Sequence, residues 1–368
     1  MSQIRILHII RQMNQGGAEN FIMNLYRNID KNKVQFDFLV YKKGVFDDEI
    51  KQLGGNIFYS KYITEIGQYR YCKELLKFFK EHTEYKVVHS HLDQVSGIIL
   101  EVAKKAGIKE RISHSHNTKN RNGILGKIYK KYLQSKINKN ATQYFACGED
   151  AAKWLFKEKA SQATIIPNGI DLDRFKYNEE TRNRIRKELN IEKDTFVCGH
   201  IGRFSEQKNH EFLIKIYKKY QKTNTNSKLI LVGDGKLREK IEEEVKKEKI
   251  EQNVMFLGNR KDSENLYQAF DLLLFPSLFE GMSLVTLEAQ AEGLPILCSD
   301  TIDKNTNITN TIEFMSLQED ARNWAKKIQE MPKTRNLQNN KILEKTDYNV
   351  KNLAKKMEEK YIDLYKRG

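Results

Sequence analysis

Residues 272–291 read LLLFPSLFEGMSLVTLEAQA, and this stretch decides the fold class. The apolar run at 272–275 predicts a fully buried strand, which stops at Pro276 because proline has no backbone N–H to donate to a sheet. A helix is predicted from Ser283, a favourable N-cap residue. A buried strand, a short loop and a helix in this order are typical of a parallel α/β sheet.

Two carboxylates stand eight residues apart in this stretch, Glu280 in the loop and Glu288 two turns into the helix. A carboxylate oxygen accepts hydrogen bonds from sugar hydroxyls. The backbone N–H groups of Met282, Ser283 and Leu284 are predicted to be free at the helix start, where they can hold a phosphate. The pattern therefore favours a nucleotide-sugar site. The alternative is a surface loop and an amphipathic helix with incidental glutamates.

Strand and helix patterns alternate along both halves of the chain, which predicts the α/β class with two doubly wound parallel sheets. Strands are predicted at 4–10, 34–41, 86–91, 111–114, 143–147, 164–166, 196–201, 229–232, 254–257, 272–275 and 296–298. Helices are predicted at 18–28, 68–82, 95–106, 126–138, 210–220, 236–249, 263–269 and 283–293. Because ligands of such sheets bind beyond the carboxyl ends of the strands, we expect a cleft between two facing domains.

The domain boundary is expected near Pro167-Asn-Gly-Ile-Asp171, a turn signal after a buried strand. We expect domains at 1–168 and 169–346, followed by a helix at 347–368. Apolar residues in the last segment recur on one helical face, at Val350, Leu353, Met357, Tyr361 and Leu364. This helix is expected to pack back across the N-terminal domain.

The composition of the 368-residue chain is that of a soluble globular protein, with 39% hydrophobic and 31% charged residues. No apolar run reaches the roughly 20 residues that span a bilayer, and no signal peptide is evident. The four cysteines are widely spaced, which favours free thiols over a disulfide framework or a zinc site. We expect a cytoplasmic location, with a peripheral position on the inner face of the cell membrane left open.

The net charge of +15 is concentrated in the first half of the chain. Residues 1–170 hold 28 Lys and Arg against 16 Asp and Glu, whereas residues 171–368 hold 36 against 33. This asymmetry predicts an anionic partner for the first half, although a Lys-rich genome is an alternative explanation. The densest basic region surrounds a predicted amphipathic helix and comprises Arg111, Lys119, Arg121, Lys127, Lys130, Lys131, Lys136 and Lys139. Such a helix can lie on an anionic membrane or pack its apolar side into the core.

Two further strand ends carry residues suited to phosphate. Gly202-Arg203 follows the strand at 196–201, and Lys208 comes shortly after; a guanidinium and an ammonium at a strand end can neutralise a diphosphate. Gly16-Gly17 follows the first strand and lets the backbone approach a ligand closely. Its spacing is not that of a dinucleotide site, so NAD is not expected. Gly233-Asp-Gly235 is interpreted as a tight turn.

His89 and His91 end one predicted strand, and His114 and His116 end the next. Spacing of two residues places both members of each pair on one face of a sheet. No matching cysteine or carboxylate pattern supports zinc, so no metal site is expected. His116 is the best placed of the four to face a ligand.

In order and spacing, the motifs resemble glycosyltransferase family 4, whose members are retaining enzymes with two Rossmann-like domains, the GT-B architecture. The resemblance covers most of the chain and is strongest to bacterial capsular and exopolysaccharide transferases. It rests on Gly16-Gly17, the segment 166–171 (IPNGID), Gly202-Arg203 with Lys208, the segment 231–235 (LVGDG), the Glu280/Glu288 pair and Gly293-Leu-Pro295. After Ser299-Asp300, many relatives carry a Gly-Gly loop and a Glu, whereas this chain continues TIDKNTNIT, so contacts from that loop are not carried over.

The resemblance implies catalytic roles for four residues. Arg203 and Lys208 would neutralise the donor diphosphate, Glu280 would orient the transferred sugar, and His116 would contact that sugar near the reaction centre. Glu288 would bind the ribose hydroxyls.

The resemblance also implies further contacts with the donor. Gly16 and Gly17 would approach the donor phosphates from the other domain, and the nucleotide base would lie near Asn259 and Arg260. The remaining donor-binding positions are those of the helix start, Gly281, Met282, Ser283 and Leu284.

The implied reaction moves a hexose or N-acetylhexosamine from a nucleotide-sugar, on family frequency a UDP-sugar, to a saccharide acceptor linked to polyprenyl pyrophosphate. The reaction needs no metal or other cofactor in this scheme. Alternatives are another GT-B enzyme, such as a nucleotide-sugar epimerase or a phosphorylase, a glycosidase with paired glutamates, and a catalytically silent partner subunit. No nucleic-acid-binding signature is present, so nucleic acid is not an expected partner.

Overall fold

The computed structural model describes residues 3–117, 124–280 and 282–368, with the side chains of residues 124–128 left out. The chain divides into two compact units. The first comprises Met1–Gly169 and Asp347–Gly368, and the second comprises Ile170–Thr346.

The first unit is built on a seven-stranded parallel sheet with the order β3-β2-β1-β4-β5-β6-β7. Its strands are β1 (Ile4–Ile9), β2 (Val34–Val40), β3 (Ile57–Tyr59), β4 (Val87–Ser90), β5 (Glu110–Ser115), β6 (Gln143–Ala146) and β7 (Thr164–Ile165). Its helices are α1 (Gly17–Asn28), α2 (Asp47–Gln52), α3 (Ile63–Ile66), α4 (Gln68–Glu81), α5 (Ser96–Lys105), α6 (Ile124–Asn140) and α7 (Glu149–Phe156). The central strands are almost completely buried, and polar residues among them are paired: Arg5 donates to Asp37, and His8 shares a hydrogen bond with His91.

The second unit repeats this topology with a six-stranded parallel sheet of order β10-β9-β8-β11-β12-β13. Its strands are β8 (Phe196–Ile201), β9 (Ser227–Val232), β10 (Val254–Gly258), β11 (Leu272–Phe275), β12 (Ile296–Ser299) and β13 (Ile312–Met315). Its helices are α8 (Glu179–Glu188), α9 (His210–Gln221), α10 (Arg238–Lys247), α11 (Ser263–Ala269), α12 (Leu284–Ala291), α13 (Ala321–Glu330) and α14 (Gln338–Glu344).

The strand order reverses once in each sheet, between β1 and β4 in the first unit and between β8 and β11 in the second. At such a reversal the loops that leave the two neighbouring strands diverge, and they leave a crevice beyond the carboxyl ends of the strands. A ligand site in the second unit is therefore expected among the residues that follow β8 and β11.

The last helix, α15 (Val350–Arg367), belongs to the first unit. Its predicted apolar face is confirmed, because Leu353, Met357, Tyr361 and Leu364 are buried in the core beside β1 and β2. Glu358 fixes the helix further: its carboxylate accepts hydrogen bonds from the backbone N–H of Asp30 and from the Lys33 ammonium.

Every predicted strand and every predicted helix listed above is present, with ends within three residues of the expected positions. Two strands were not predicted, β3 and β13. Both lie at sheet edges, are only three and four residues long, and keep some side chains partly exposed. Such short and half-exposed segments have neither the continuous apolar run of a central strand nor a clear alternation.

None of the described helices is long and apolar enough to cross a bilayer. All four cysteines are free, as the spacing predicted, and Cys198 and Cys298 are buried.

Candidate active site

The turn between β11 and α12 has the predicted form. Ser283 stands at the N-cap of α12, although its side chain makes no capping hydrogen bond. Its carbonyl oxygen instead accepts hydrogen bonds from the Thr286 hydroxyl and the Leu287 backbone. The backbone N–H groups of Met282, Ser283 and Leu284 donate to none of the residues that the structure describes. Gly281 lies outside those residues.

Glu280 and Lys208 meet at this turn. The Lys208 ammonium lies 2.8 Å from the Glu280 carboxylate and 4.4 Å from the centre of the Phe275 ring. No hydrogen bond accompanies the ion pair at Glu280 Oε1, so the attraction is electrostatic. The backbone of Glu280 also pairs with that of Ile302. The loop that departs from the family pattern thus supports Glu280 through its backbone.

Arg203 follows β8 and is exposed. Its guanidinium makes no hydrogen bond or ion pair with any described residue. An exposed arginine at the carboxyl end of a central strand, beside the order reversal, is available to an anionic ligand.

Glycines shape the turn that holds Arg203. A side chain on Gly202 would press on the Lys208 stem, with contacts of 3.1 Å. Gly233 has a φ of 130°, and a Cβ there would lie 2.2 Å from the Gly202 carbonyl oxygen. Gly235 leaves room for the backbone of Phe204. The interpretation of Gly233-Asp-Gly235 as a tight structural turn is confirmed.

Glu288 lies on α12 and accepts a hydrogen bond of 2.8 Å from the Tyr267 hydroxyl. Burial raises the pKa of Glu288 to about 7, although the Tyr267 hydrogen bond and the Arg174 charge oppose that shift. The carboxyl group therefore titrates near neutral pH.

A buried ion pair supports the end of α12, one turn beyond Glu288. Arg335 contacts Glu292 at 3.3 Å and donates to the carbonyl oxygens of Tyr267, Gln268 and Phe270. Burial raises the pKa of Glu292 and lowers the pKa of Arg335, and the attraction between the two charges opposes both shifts. The sequence-based analysis missed both Arg335 and Tyr267. No motif marks either one, and only the packing of their segments against α12 shows their role.

The predicted base-binding residues follow β10. Asn259 is exposed, and the Arg260 guanidinium binds both carboxylate oxygens of Asp262 at 2.8 Å and contacts Glu188 at 3.3 Å. The Arg260 side chain is therefore committed to protein partners, which leaves the backbone of this segment for a base.

Gly16 and Gly17 open α1 in the first unit. A Cβ on Gly16 would meet the Glu19 carboxylate at 2.2 Å, whereas a Cβ on Gly17 would have no neighbour within 4 Å. The Glu19 carboxylate is the far end of a flexible side chain and can move aside, so packing within the chain gives no reason for a glycine at either position.

The histidines of β4 and β5 form a cluster with His8 of β1, which the sequence-based analysis did not include. One hydrogen-bonded chain runs from His8 Nδ1 to His91 Nε2 (3.0 Å) and from His91 Nδ1 to His116 Nε2 (2.9 Å). The second links His114 Nδ1 to His89 Nε2 (3.1 Å) and His89 Nδ1 to the Tyr361 hydroxyl.

All five imidazoles of this cluster are neutral near pH 7, because burial lowers the pKa of each ring, to about 3 for His8 and His116. The Nε2 atom of His116 is hydrogen-bonded to His91, and its Nδ1 is buried without a partner among the described residues. Direct contact between a His116 nitrogen and a sugar would therefore require the ring to turn.

The basic helix α6 packs its apolar side inward, since Leu133 and Ile137 are buried. Lys119 and Arg121 lie outside the described residues, as does the side chain of Lys127. Among the described side chains of α6, those exposed are Tyr129, Lys131, Tyr132, Ser135 and Lys139. Lys136 is mostly buried and pairs with Glu101.

Two family models match successive parts of the chain. The one described as glycosyltransferase family 4 matches residues 15–174, and the one described as glycosyl transferases group 1 matches residues 181–357. The putative glycosyltransferase EpsF of Bacillus subtilis is 38% identical over 335 residues, which are 89% of this chain and 87% of EpsF. This chain belongs to glycosyltransferase family 4.

Two other relatives of this family 4 glycosyltransferase have more specific names. The UDP-Gal:alpha-D-GlcNAc-diphosphoundecaprenol alpha-1,3-galactosyltransferase of Escherichia coli is 24% identical, over 85% of this chain and 83% of that protein. The capsular polysaccharide biosynthesis glycosyltransferase CapH of Staphylococcus aureus is 26% identical, over 89% of this chain and 90% of CapH.

Solved structures show the same architecture. The crystal structure of Anabaena HepE in complex with UDP has a TM-score of 0.80 and 18% sequence identity, and the match covers 98% of this chain and 100% of that chain. At this identity the likeness shows the fold. Together with the two parallel sheets, it places this family 4 glycosyltransferase in the GT-B class, as the sequence predicted.

Proposed function

We propose that this glycosyltransferase is a retaining, metal-independent hexosyl- or N-acetylhexosaminyltransferase that uses a UDP-sugar. We propose that its acceptor is a saccharide linked to polyprenyl pyrophosphate, in capsular or exopolysaccharide biosynthesis. One observation carries the donor site: exposed Arg203, the Lys208–Glu280 pair and Glu288 all lie on the loops and helix that follow the neighbouring strands β8 and β11.

The charges in this region suit a diphosphate. Arg203 has no protein partner among the described residues, so its guanidinium can fork two phosphate oxygens without breaking an existing contact. Lys208 adds a second positive charge, and Glu280 holds it in place. The start of α12 offers backbone N–H groups and the positive end of the helix dipole.

Glu288 suits a ribose. Tyr267 donates to Oε2, which leaves Oε1 to accept a hydrogen bond from a ribose hydroxyl. The sugar would then lie nearer to Glu280, while the base would meet the backbone near Asn259 and Arg260. The roles of Gly16, Gly17 and His116 are proposed from the family resemblance.

The proposed chemistry relies on position and charge. In a retaining reaction on one face of the sugar, the leaving phosphate takes the proton of the acceptor hydroxyl. The protein then stabilises the charge that develops on the diphosphate, and Arg203 and Lys208 supply that stabilisation in place of a metal ion.

The choice of donor and acceptor rests on relatives. HepE was crystallised with UDP and also with UDP-glucose, and the name of the E. coli relative contains both UDP-Gal and a diphosphoundecaprenol acceptor. An acceptor anchored in a membrane fits a basic surface on the first unit. Exposed Lys73, Lys77 and Lys80 line α4, next to Tyr69, which is 85% exposed.

The membrane-facing surface we propose is the basic face of α4 and the adjoining part of α6 from Tyr129 onward. The Tyr129 hydroxyl donates to Gln68 and joins the two helices at this point. Exposed tyrosines beside lysines suit the headgroup region of an anionic bilayer. Contact would be electrostatic, because the apolar side of α6 is buried.

The donor site is tested by calorimetric binding to UDP-, GDP- and ADP-sugars after chelation of metal. We expect selective binding of a UDP-sugar, with a clear loss in Glu288→Ala and none in Glu251→Ala, a matched change at an exposed carboxylate of the second unit. Binding that is equal in both variants would remove Glu288 from the site, and no binding at all would support a silent subunit.

The membrane surface is tested by cosedimentation with phosphatidylglycerol vesicles. The double change Lys73→Glu and Lys77→Glu should release the protein, whereas Lys333→Glu and Lys345→Glu, at exposed positions of the second unit, should not. An equal loss of vesicle binding in both double variants would indicate a nonspecific charge effect and contradict the proposed surface.

A further inference from the structure

The histidine cluster of the first unit contains more ring nitrogens than its hydrogen bonds require. His114 Nε2 and His116 Nδ1 are buried and have no partner among the described residues. His91, His114 and His116 each offer one ring nitrogen such that the three atoms lie within 4.8 Å of one another. We propose that these three histidines form a binding site for a divalent transition-metal ion of the zinc class.

One of the three separations is close to that of a metal site. His91 Nδ1 and His116 Nε2 are 2.9 Å apart. Zinc binds imidazole nitrogen at about 2.0–2.1 Å, so two nitrogens of a tetrahedral site lie about 3.4 Å apart. These two nitrogens would need to move apart by about 0.5 Å for an ion to replace the proton that they share. Neutral imidazole is also the form that binds metal, and these rings are neutral because they are buried among aromatic side chains such as Phe21 and Phe145.

His8 and His89 can hold two of the proposed ligands, His91 and His114, in the tautomer that binds metal. If His114 binds through Nε2, its Nδ1–H donates to His89 Nε2, and His89 in turn donates to the Tyr361 hydroxyl. If His91 binds through Nδ1, its Nε2–H donates to His8 Nδ1. Metal-binding histidines characteristically donate their second N–H to such a partner, and here both partners are already in position.

A second set of three, His8, His89 and His91, is the weaker candidate. His89 uses both ring nitrogens in hydrogen bonds, so an ion there would break one of them. All three side chains are also buried, whereas His116 is partly exposed at the end of β5 and gives an ion a route from solvent.

The absence of cysteine and carboxylate partners led the sequence-based analysis to expect no metal. Three imidazoles and a water molecule are nevertheless a complete zinc ligand set. The missing information was spatial, because His114 and His116 lie on a different strand from His91. The proposed transfer reaction uses no metal but shares His116 with this site, so an ion on His116 and a sugar contact by the same ring exclude one another.

The test uses the full chain without a histidine tag, stripped with a chelator. Equilibrium dialysis should show one tightly bound Zn²⁺ per chain, and Co²⁺ should give the visible absorption bands of a tetrahedral site. His116→Asn should weaken Zn²⁺ binding at least tenfold, and His8→Phe, behind the site, about 10–100-fold. The control variant His82→Asn changes a histidine of the same unit outside the cluster, and it should bind Zn²⁺ as tightly as the parent chain.

Thermal unfolding of each stripped variant shows whether it is folded before binding is compared. His116→Asn is the safest ligand change, because His116 is the least buried of the three. The proposal fails if the parent chain binds no Zn²⁺, in which case the cluster serves only to join three strands. It also fails if folded His116→Asn binds Zn²⁺ as tightly as the parent does.

Discussion

Lys208 and Glu280 form a shielded ion pair: only 13% and 12% of their side chains are exposed. They are 72 residues apart in the chain and follow neighbouring strands, β8 and β11. Removal of one partner would leave the other charge partly buried and unpaired, and such a charge is costly. The two residues should therefore be coupled both in stability and in any function that uses their charges.

A double-mutant cycle measures this coupling. We expect Lys208→Met and Glu280→Gln each to lower the free energy of unfolding by about 1–3 kcal/mol, with the double variant closer to the parent than the sum of the two. Denaturant unfolding checks this. The exposed pair Lys240–Glu211 serves as the control, and its coupling should stay below about 1 kcal/mol. Additive losses at Lys208 and Glu280 would contradict the coupling.

Arg203 should matter for turnover and hardly at all for folding. Its guanidinium is exposed and bonds to no described residue, so Arg203→Ala should change stability by less than about 0.5 kcal/mol. Loss of charge stabilisation at the diphosphate should lower kcat by about 10²–10³-fold. Steady-state kinetics with the preferred donor measures this, with Arg322→Ala as an exposed control in the same unit. Near-parental turnover in Arg203→Ala would refute its proposed role.

Glu288 should make donor binding depend on pH. Its pKa is about 7, and only the carboxylate accepts two hydrogen bonds, so donor affinity should rise as pH increases through neutrality. Glu288→Gln should abolish that dependence and weaken binding. Calorimetric titrations at about pH 6 and pH 8 provide the measurement. The ligand is an intact UDP-sugar, because its diphosphate is esterified at both ends and keeps the same charge at both pH values, whereas a terminal phosphate titrates at about pH 6.

Ionisation of Glu288 should have the opposite effect on the stability of the fold. A carboxyl group whose pKa is raised in the folded state stabilises the fold below its unfolded pKa, and that contribution is lost as pH rises through about 7. Glu288→Gln should therefore raise the Tm at about pH 8 and change it little at about pH 4. A stability gain that is equal at both pH values would show that titration of Glu288 is not its cause.

The sequence was sufficient to predict the sheets and the elements that carry the candidate site residues, because both follow from local patterns. Buried strands such as β11 are continuous apolar runs, and the residues after them must lie at one edge of a parallel sheet. The start of α12 was predicted to within one residue, and Glu280 and Glu288 lie in the predicted loop and helix.

Contacts between distant segments could not be predicted in this way. His8 is a single histidine inside an apolar strand, and only the register of β1 against β4 places it opposite His89. Arg335 lies between α13 and α14, where no motif marks it, yet it binds the carbonyl groups behind Glu288's helix. Such relations depend on strand register and on how helices pack, and neither leaves a local signature.

Chelation should leave glycosyl transfer intact. The proposed reaction assigns the diphosphate charge to Arg203 and Lys208, so EDTA-treated protein should turn over at the parental rate in chelated buffer. Radiolabelled sugar transfer measures this. A loss of activity that returns on addition of Mg²⁺ or Mn²⁺ would overturn the metal-independent mechanism.

Two glycines offer the sharpest contrast between a structural and a ligand role. Gly233 has a positive φ, and a Cβ there would strike the Gly202 carbonyl oxygen, so Gly233→Ala should lower the Tm and disturb the turn that carries Arg203. Gly17 begins α1 and has free space around it, so Gly17→Ala should leave the Tm unchanged or slightly higher.

If Gly17 is a glycine because a donor phosphate approaches it, Gly17→Ala should still raise the donor KM, with no loss of fold to explain the change. Thermal unfolding and donor titration of the two variants, side by side, separate the roles. Unchanged kinetics in Gly17→Ala would show that the space above α1 holds no ligand during transfer. A lowered Tm in that variant would mean that the backbone at this position cannot accept a side chain.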